Sequence, residues 1–280
     1  VGALSIRDNT DEVYRQMAAG KTMVIQMAPS VRINLAEALG QKAGTVSTGK
    51  IVHALKKIGF YKVFDSDFSA DLTIMEEGTE FLKRLKEGGS LPMFTSCCPA
   101  WVKYCETYGP DLLPHLSTAK SPQQMFGSVI KTYFAEKEGL KREDICSVSV
   151  MPCTAKKFEC KRPEMKDDVD IVITVMELAK MIRTAGIDFD NLEDAEFDVP
   201  FGLGSGAAQI FGITGGVMEA ALRTVYEVVT GESLDERLEF TAVRGFEGIR
   251  EASLQIGGLT VKVAIVHGLA NAKKMLELVR

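Results

Sequence analysis

An α/β fold with largely parallel sheets is the class that this sequence predicts. Short apolar runs of strand length recur along the chain, for example at residues 22–27, 145–151 and 170–175. Stretches with helical spacing separate them, and repeated strand–helix units of this kind build parallel sheets. Neither an internal repeat nor a low-complexity linker interrupts the alternation. The sequence therefore predicts two lobes, each with a mostly parallel sheet flanked by helices, with a cleft between them.

The individual elements follow from periodicity and from residues that start or stop helices. Residues 70–86 carry apolar side chains near 3.6-residue spacing, which is typical of an amphipathic helix. Pro122 favours a helix start, and Gly186 favours a helix stop. We assign residues 1–118 and about 267–280 to the first lobe and 119–266 to the second. The expected strands are 22–27, 91–95, 145–151, 170–175, 240–243 and 259–266, and residues 62–64 lead into a turn-rich segment. The expected helices are 31 onward, 51–58, 70–86, 123–138, one that follows the strand 170–175 and runs through 182, 216–229 and 270 onward.

The composition is that of an ordinary folded protein and argues against several classes. Of 280 residues, 46% are hydrophobic and 25% charged, and 33 basic against 38 acidic side chains leave a formal charge of −5. The absence of a basic tract argues against a nucleic-acid partner, and the negative charge gives no attraction to an anionic membrane. No apolar run approaches the roughly 20 residues that span a bilayer, and no secretory signal is visible. We therefore expect a cytoplasmic protein without a membrane partner.

Six cysteines are too few for a disulfide framework in a chain of this length. None of them forms a C-x-x-C pair, so reduced thiols or metal ligands are the expected use. They are Cys97, Cys98, Cys105, Cys146, Cys153 and Cys160.

The segment TSCCPAW contains two adjacent thiols, Cys97 and Cys98. Free cysteines are often small buried hydrophobic residues, and for an isolated pair that interpretation is favoured. The pair, however, follows the predicted strand 91–95 and precedes Pro99, which can open a helix. Neighbouring side chains in an extended segment point in opposite directions, so one thiol could ligate a metal while the other faces elsewhere.

The segment MPCTAKKFE places charged side chains shortly after a thiol. If it is helical, Cys153, Lys156 and Glu159 fall on roughly one face. A solvated helix start is the ordinary interpretation of such a segment. A thiolate beside a lysine would also suit an anionic cofactor.

Other candidate motifs are weaker when each is taken alone. Glu77, Glu80 and Arg84 have one-turn spacing, and by themselves they favour an exposed, charge-paired helix face. The three histidines are isolated, which argues against a histidine metal site. The glycine-rich residues 201–206 do not match the order of a nucleotide-binding motif.

Three polar or thiol-bearing loops follow the ends of predicted strands. They comprise residues 28–30, 96–99 and 152–154. In open α/β sheets, ligands bind in the crevice outside the carboxyl ends of the strands. The sequence therefore predicts that these loops converge on one cleft.

Taken together, these segments resemble the iron-only (FeFe) hydrogenases. TSCCPAW and MPCTAKKFE are similar to the first two signature motifs of that family, and SPQQMFG, MAPSVR, DLTIMEEG and FGITGGVMEAALR look like further parts of it. The matches run through nearly the whole chain in family order. The resemblance implies a catalytic core that reversibly oxidises H2 to protons and electrons.

The resemblance also implies a composite cofactor, the H-cluster, in the cleft between the lobes. This cofactor joins a 4Fe-4S cluster through a cysteine to a diiron unit that carries CO, cyanide and a bridging dithiolate. By motif matching, Cys98 and Cys153 would ligate the four-iron cluster. Cys97 would exchange a proton with the bridging amine, and the proton path would continue, with a water, through Glu77, Ser117, Glu80 and Arg84.

The other implied site residues surround the diiron unit. Lys156, Pro29 and Ser30 match positions that hold the cyanide ligands, and a fixed ammonium and backbone donors stabilise negative charge strongly in a dry cavity. The remaining residues implied for this pocket are Ala28, Gln123, Met151, Pro152 and Glu159.

The chain departs from the family pattern at its cysteines. The family's third motif supplies two further ligands, yet no cysteine follows Cys160 in this sequence, and the ferredoxin-like cysteine clusters common in the family are missing. Cys105, Cys146 and Cys160 match no ligand position and are expected to be structural. The resemblance therefore implies either a piece of a longer protein or a diverged relative, and two thiolates alone are expected to leave the site incomplete and inactive.

Two other functions stay open on the sequence. A non-catalytic, hydrogenase-like iron–sulfur assembly or sensory protein would share the scaffold without the turnover. A thiol redox enzyme that uses Cys97 and Cys98 would act without metal but would need a strained ring between neighbours. For a hydrogenase, the implied partners are H2 and protons, ferredoxin or another electron carrier, NAD-linked partner subunits and maturation proteins.

Overall fold

The first apolar run of the chain forms strand β1, Thr22–Met27, with the bounds that the sequence predicts. The computed structural model describes residues 5–165, 167–234, 241–243 and 247–280. Contacts group the chain into two units, each made of two segments. The first unit comprises Val1–Ala70 and Ser121–Ser205, and the second comprises Asp71–Lys120 and Gly206–Arg280.

The first unit is built on a four-stranded parallel sheet. Besides β1 it contains β2 (Lys62–Asp65), β3 (Ile145–Met151) and β4 (Ile171–Thr174), in the order β2-β1-β3-β4. Every residue of β3 and β4 is buried, as expected for strands that helices cover on both faces. The chain moves from β1 out to β2 in one direction and from β3 out to β4 in the other. The strand order therefore reverses between β1 and β3, and ligands bind at such a switch point.

Two apolar cores lie on the two faces of this sheet, because successive side chains of a strand point to opposite sides. Met23, Ile25 and Met27 belong to the larger core. Val24 belongs to a smaller, phenylalanine-rich core. Both cores confirm the predicted α/β class, in which helices pack on a parallel sheet.

The helices begin at residues with recognisable start signals. Pro122 is the first residue of α6, and α9 begins at a capping box in which Thr174 and Glu177 bond each other's backbone. A π-helical stretch, Ile130–Phe134, divides the predicted helix 123–138 into α6 and α7. In the described chain the α-helices are α1 (Thr10–Ala18), α2 (Val31–Ala38), α3 (Thr48–Ile58), α4 (Asp67–Glu87), α5 (Pro99–Tyr108), α6 (Pro122–Val129), α7 (Ala135–Lys137), α8 (Ala155–Glu159), α9 (Val175–Thr184), α10 (Gly206–Gln209), α11 (Gly216–Thr230) and α12 (Leu269–Val279).

The second unit contains most of α4 together with α5, α10, α11, α12 and a small sheet. Its described strands are β5 (Thr241–Ala242), β6 (Ile249–Ile256) and β7 (Leu259–Val266), and both pairs are antiparallel. Gly257 and Gly258, with φ of 55° and 83°, form the two-residue turn between β6 and β7. Such turns require positive φ and join neighbouring strands directly. The described sheet is therefore antiparallel, which corrects the expectation of a mostly parallel sheet in each lobe.

Three further features of the sequence prediction differ from the structure or lie outside the described residues. Residues 91–95 do not form the predicted strand: Phe94 makes a single parallel bridge to Leu116, and its neighbours are irregular. The units also have bounds different from the predicted lobes, because β1 pairs with both β2 and β3 and thereby groups residues 1–70 with 121–205. Residue 240, the start of one predicted strand, lies outside the described residues.

None of the helices among the described residues is both long and apolar enough to cross a membrane.

Candidate functional site

The predicted site residues fall into two sets, one in each unit. In the first unit, the loops after β1 and β3 lie side by side at the switch point of the sheet. The N–H of Ala28 donates to the carbonyl of Val150 at 3.1 Å, which joins the two loops. Residues 28–30 and 151–153 therefore meet at the carboxyl edge of adjacent strands. Two of the three predicted loops are brought together in this way.

Lys156 and Glu159 follow Cys153 on the short helix α8. The backbone N–H of Lys156 donates to the Cys153 carbonyl at 3.3 Å, so the helix starts directly from the cysteine loop. The Lys156 ammonium contacts Glu159 Oε2 at 3.1 Å, and both side chains are largely buried. The two residues share one helix face, as their spacing indicates. Cys153 itself is half-buried.

Glu159 also contacts α6 and its N-terminus. Its carboxylate accepts hydrogen bonds from Ser121 Oγ at 3.0 Å and from Gln123 Nε2 at 3.1 Å. The Gln123 side-chain oxygen accepts from Ser149 Oγ at 2.7 Å, and the Gln123 carbonyl accepts from Gln26 Nε2 at 2.9 Å. Ser121, Ser149 and Gln26 were not predicted as site residues. For Ser149 and Gln26 the available signal was a polar residue inside an otherwise apolar strand, as in ICSVSVM and TMVIQM.

In the second unit, the two adjacent thiols precede helix α5. Cys98 is exposed and stands at the N-cap position of α5, whereas Cys97 is half-buried. No strand leads into them, so the predicted strand end is absent here. Ser96 Oγ instead donates to the Ala119 carbonyl at 2.8 Å, and the Ser96 N–H points at Glu77 Oε1 from 3.5 Å. The thiol pair therefore begins next to the acidic helix α4.

Glu77 is buried in α4, with only 3% of its surface exposed. Burial raises the pKa of Glu77 above its ordinary value, and the charge of Glu80 raises it further. Hydrogen bonds with Ser117 and Ser96 act in the opposite direction but do not cancel the effect of burial. The interpretation of this segment as a wholly exposed charged face is therefore wrong at Glu77, whereas the neighbouring Glu76 is exposed.

Glu80 lies one turn further along α4, and its pKa is shifted in the opposite direction. Burial by itself would raise its pKa, but donors outweigh this and hold the Glu80 pKa below its ordinary value. Thr118 donates from its backbone N–H at 2.9 Å and Arg84 from Nη2 at 2.6 Å, while Ser117 Oγ donates at 3.1 Å. Thr118, which also donates from its hydroxyl at 3.1 Å, was not predicted.

Arg84 is fixed by backbone carbonyls in addition to Glu80. Its guanidinium donates to four carbonyl oxygens at 2.7–3.2 Å, which belong to Ser90, Pro114, His115 and Leu116. The second unit thus contains an unbroken hydrogen-bonded chain. It runs from Glu77 through Ser117 and Glu80 to Arg84.

The remaining cysteines have the properties of structural thiols. Cys105, Cys146 and Cys160 are buried. Burial raises the pKa of Cys105 to about 11 and that of Cys146 to about 12, and it also raises the pKa of Cys160. Thiols of this kind are poor metal ligands, because the thiolate is the ligating form. Across the described ranges, no three His, Cys, Asp or Glu side chains form a metal-binding group.

Solved structures first define the class of protein to which this fold belongs. A variant of the FeFe hydrogenase HydA1 from Chlamydomonas reinhardtii superimposes with a TM-score of 0.87 at 38% identity, covering 97% of this chain and 78% of that chain. Residues 21–280 match the family described as "Iron only hydrogenase large subunit, C-terminal domain". The chain therefore belongs to the iron-only hydrogenase large-subunit family, as the resemblance predicted.

Named relatives agree with this family and extend beyond this chain. It is 50% identical to the NADP-reducing hydrogenase subunit HndD of Solidesulfovibrio fructosivorans, over 99% of this chain and 49% of the relative. It is also 50% identical to the periplasmic Fe hydrogenase large subunit of Nitratidesulfovibrio vulgaris, over 95% of this chain and 65% of the relative. A more distant relative is Protein NAR1 of Arabidopsis thaliana, at 31% identity over 98% of this chain and 63% of the relative. The chain thus spans about half to two thirds of these relatives.

Proposed function

We propose that this chain is the catalytic domain of an enzyme that reversibly oxidises H2 to protons and electrons at the H-cluster. The hydrogen-bonded chain from Glu77 through Ser117 to Glu80 is the observation that carries the proposal. Its two carboxyls have pKa values displaced in opposite directions, and separated pKa values are how proteins assign a proton donor and a proton acceptor. A domain that only held a cluster would need no such path.

Two thiols of this chain suit the four-iron cluster. Iron–sulfur clusters are held by cysteine thiolates, and Cys98 and Cys153 are exposed or half-buried rather than sealed in a core. The family resemblance assigns Cys98 and Cys153 to the cluster and Cys97 to proton transfer, and the other three cysteines, Cys105, Cys146 and Cys160, are buried. Cys98 and Cys153 would therefore hold part of the cluster. When bound, the cofactor supplies H2 activation and electron transfer, while the protein supplies orientation and a route for protons.

The diiron unit would lie against the loops at the carboxyl ends of β1 and β3. Pro29, Ser30 and Lys156 would hold its cyanide ligands, because an ammonium and backbone donors stabilise negative charge where water is excluded. Ala28 is buried at this edge of the sheet, and so is Met151. The other residues assigned to this pocket are Gln123, Pro152 and Glu159.

Protons would move along the second unit in a defined order. Cys97 would pass a proton through a water to Glu77, because a positioned thiol can act as a general acid and base. Protonated Glu77 would donate to Ser117 Oγ while the Ser117 hydroxyl donates to Glu80 Oε2. Arg84 keeps Glu80 ionised and thus ready to accept. The same contacts would operate in reverse when protons are consumed.

Replacing the proposed proton carrier tests the function directly. In the full-length, cofactor-loaded protein, Cys97→Ala should lower H2 turnover by at least about 100-fold, because alanine cannot carry a proton. Iron content and the cluster's electron paramagnetic resonance signal should be retained. Cys105→Ala, which removes a buried thiol of raised pKa from helix α5, is the matched control and should leave turnover close to wild type. Full turnover in the Cys97→Ala variant would exclude the proton path.

A non-catalytic role in iron–sulfur assembly is the second candidate, because Protein NAR1 is 31% identical to this chain. Infrared spectroscopy of the full-length protein separates the two functions. Stretching bands of metal-bound CO and cyanide are expected for the hydrogenase. Their absence from a protein that retains its iron–sulfur signal would favour the assembly role.

The electron partners follow from the same proposal. We propose ferredoxin or another electron carrier, and the NADP-reducing relative supports nicotinamide-linked partner subunits as one form of that carrier. Maturation proteins would deliver the diiron unit. We propose a cytoplasmic location, and a periplasmic relative makes export the alternative to be tested by fractionation.

A further inference from the structure

The carboxylate of Glu159 accepts hydrogen bonds from three different side chains. Its Oε2 accepts from Ser121 Oγ at 3.0 Å, Gln123 Nε2 at 3.1 Å and Lys156 Nζ at 3.1 Å. Its Oε1 lies 3.3 Å from the same ammonium. Only 3% of the Glu159 surface is exposed. A buried carboxylate with this many donors has a single position, so its negative charge is fixed in place.

The donors around Glu159 are fixed in turn by the central strands. Ser149 of β3 donates to the Gln123 side-chain oxygen, which turns the Gln123 amide nitrogen toward Glu159. Gln26 of β1 donates to the Gln123 carbonyl, and the Gln26 oxygen accepts from Ser66 Oγ at 3.1 Å. Gln26, Gln123 and Ser149 are each 1% exposed or less. The position of the carboxylate is therefore set by the sheet and not by solvent.

The fixed carboxylate of Glu159 weakens the attraction of the Lys156 ammonium for other anions. The two charges are 3.1 Å apart, and their side chains are 14% and 4% exposed. In such a site little solvent screens a charge, so the carboxylate opposes most of the ammonium's attraction for any other anion. The Lys156 ammonium is therefore held in a set direction and has little net positive charge.

We infer that Glu159 sets the affinity of the N-terminal end of α8 for anions by orienting Lys156 and opposing its charge. Glu159 is thus a positioning residue for Lys156. The inference rests on the proposed function only in identifying the anion as a cyanide ligand. The contacts around Glu159 exist without any cofactor, so the inference can be tested without one.

Thiocyanate binding to the metal-free, full-length protein is the first test. Thiocyanate stays ionised at neutral pH and ends in a nitrogen acceptor. Glu159→Gln should bind it at least about ten-fold more tightly than wild type, because removing a charge a few ångströms away alters binding by that much at an effective dielectric constant of about 20. Glu159→Asp, which keeps the charge, should return the affinity toward wild type. Equal affinity in Glu159→Gln and wild type would overturn the inference.

Two further variants keep this test independent of folding defects. Lys103 and Glu106 form an exposed pair with the same residues, order and spacing, at 3.2 Å. Glu106→Gln is the matched control and should leave thiocyanate affinity unchanged. In the background of Lys156→Met, Glu159→Gln should tighten binding less than it does in the wild-type background, because only the direct repulsion between Glu159 and the anion is then removed, and this double variant contains neither buried charge. Tightening of the same size in both backgrounds would show that Glu159 does not act through Lys156 and would overturn the inference.

Infrared bands of the loaded, full-length protein provide the second test. In Glu159→Gln the stronger positive field at the cyanide should draw electron density from the iron, so the CO bands should move to higher wavenumber. Unshifted bands would overturn the inference. If wild-type protein shows no CO or cyanide bands, the proposed function fails, and the thiocyanate result still decides the role of Glu159.

Discussion

The Glu77–Arg84 region of the second unit and the Lys156–Glu159 region of the first unit contain similar charged residues, but we propose proton transfer for the first region and a fixed charge for the second. Each contains a largely buried ion pair on one helix face, Glu80 with Arg84 at 2.6 Å and Lys156 with Glu159 at 3.1 Å. Around Glu159 the remaining donors are neutral and come from fixed side chains, so the charge stays where it is. Near Glu80 a second carboxyl, Glu77, is linked through a serine hydroxyl.

The presence of that second carboxyl is the instructive difference. Burial raises the pKa of Glu77, whereas hydrogen bonds with Thr118, Arg84 and Ser117 outweigh burial and lower the pKa of Glu80. A proton can therefore reside on one group and be accepted by the other. The contacts of Glu159 are with hydrogen-bond donors from Ser121, Gln123 and Lys156, which hold its charge in place. A glutamate can therefore serve proton transfer or hold a fixed charge, and the groups that surround it decide which.

The largest expected effect comes from removing the protonatable group in the second unit. Glu77→Gln should lower H2 turnover of the loaded, full-length protein by about 100-fold or more, because the amide cannot carry a proton between Cys97 and Ser117. Glu76→Gln changes the adjacent, exposed residue of the same helix and should leave turnover unaltered. Initial-rate assays of both variants decide the point. Comparable rates for Glu77→Gln and Glu76→Gln would show that Glu77 carries no proton, and the proposed functional difference between the Glu77–Arg84 and Lys156–Glu159 regions would then be wrong.

The opposite pKa displacements also predict opposite dependences of stability on pH. The folded-state pKa of Glu77 lies above its ordinary value of 4.5, so its contribution to stability is present below pH 4.5 and is lost as pH rises through the raised pKa. Glu77→Gln should therefore gain stability relative to wild type as pH rises. The folded-state pKa of Glu80 lies below 4.5, so its contribution is present above pH 4.5 and is lost as pH falls through the lowered pKa.

Glu80→Gln should consequently be less stable than wild type at neutral pH, by about 1.5–3 kcal/mol, since hydrogen bonds to a charged group are lost. That deficit should shrink as pH falls below 4.5. Urea unfolding of wild type and both variants across this range measures the two slopes. Slopes of the same sign would show that the two carboxyls do not form a donor and acceptor pair.

Much of the first unit could be predicted from the sequence because its strands are continuous apolar runs. The bounds of β1 and β3 match the prediction, and burial on both faces is what makes such runs apolar. β6 was missed because alternate residues of IREASLQI are more exposed, which leaves a weak apolar signal. The glycine pair at 257 and 258 was the signal that could have identified this hairpin.

The site was harder to predict because its geometry depends on contacts between distant segments. Periodicity cannot say which of the neighbours Glu76 and Glu77 faces inward. The partner of Glu80, Ser117, lies 37 residues away in sequence, and only tertiary packing brings them together. The family resemblance named Ser117, whereas neither resemblance nor pattern named Thr118. Residue types were thus predictable, and hydrogen-bond partners were not.

The smallest expected effect tests whether the first unit's charge is fixed by β3. Ser149 and Ser147 are fully buried on the same strand, but only Ser149 Oγ has a partner among the described residues, namely Gln123 at 2.7 Å. Ser149→Ala should lower the free energy of unfolding by about 1–2 kcal/mol, because it leaves a buried amide oxygen without its donor. Ser147→Ala removes a hydroxyl that makes no bond, so it should be neutral or slightly stabilising. Urea unfolding of the two variants at one pH provides the comparison. Equal losses would mean that Gln123, and with it Glu159, is not held by the strand.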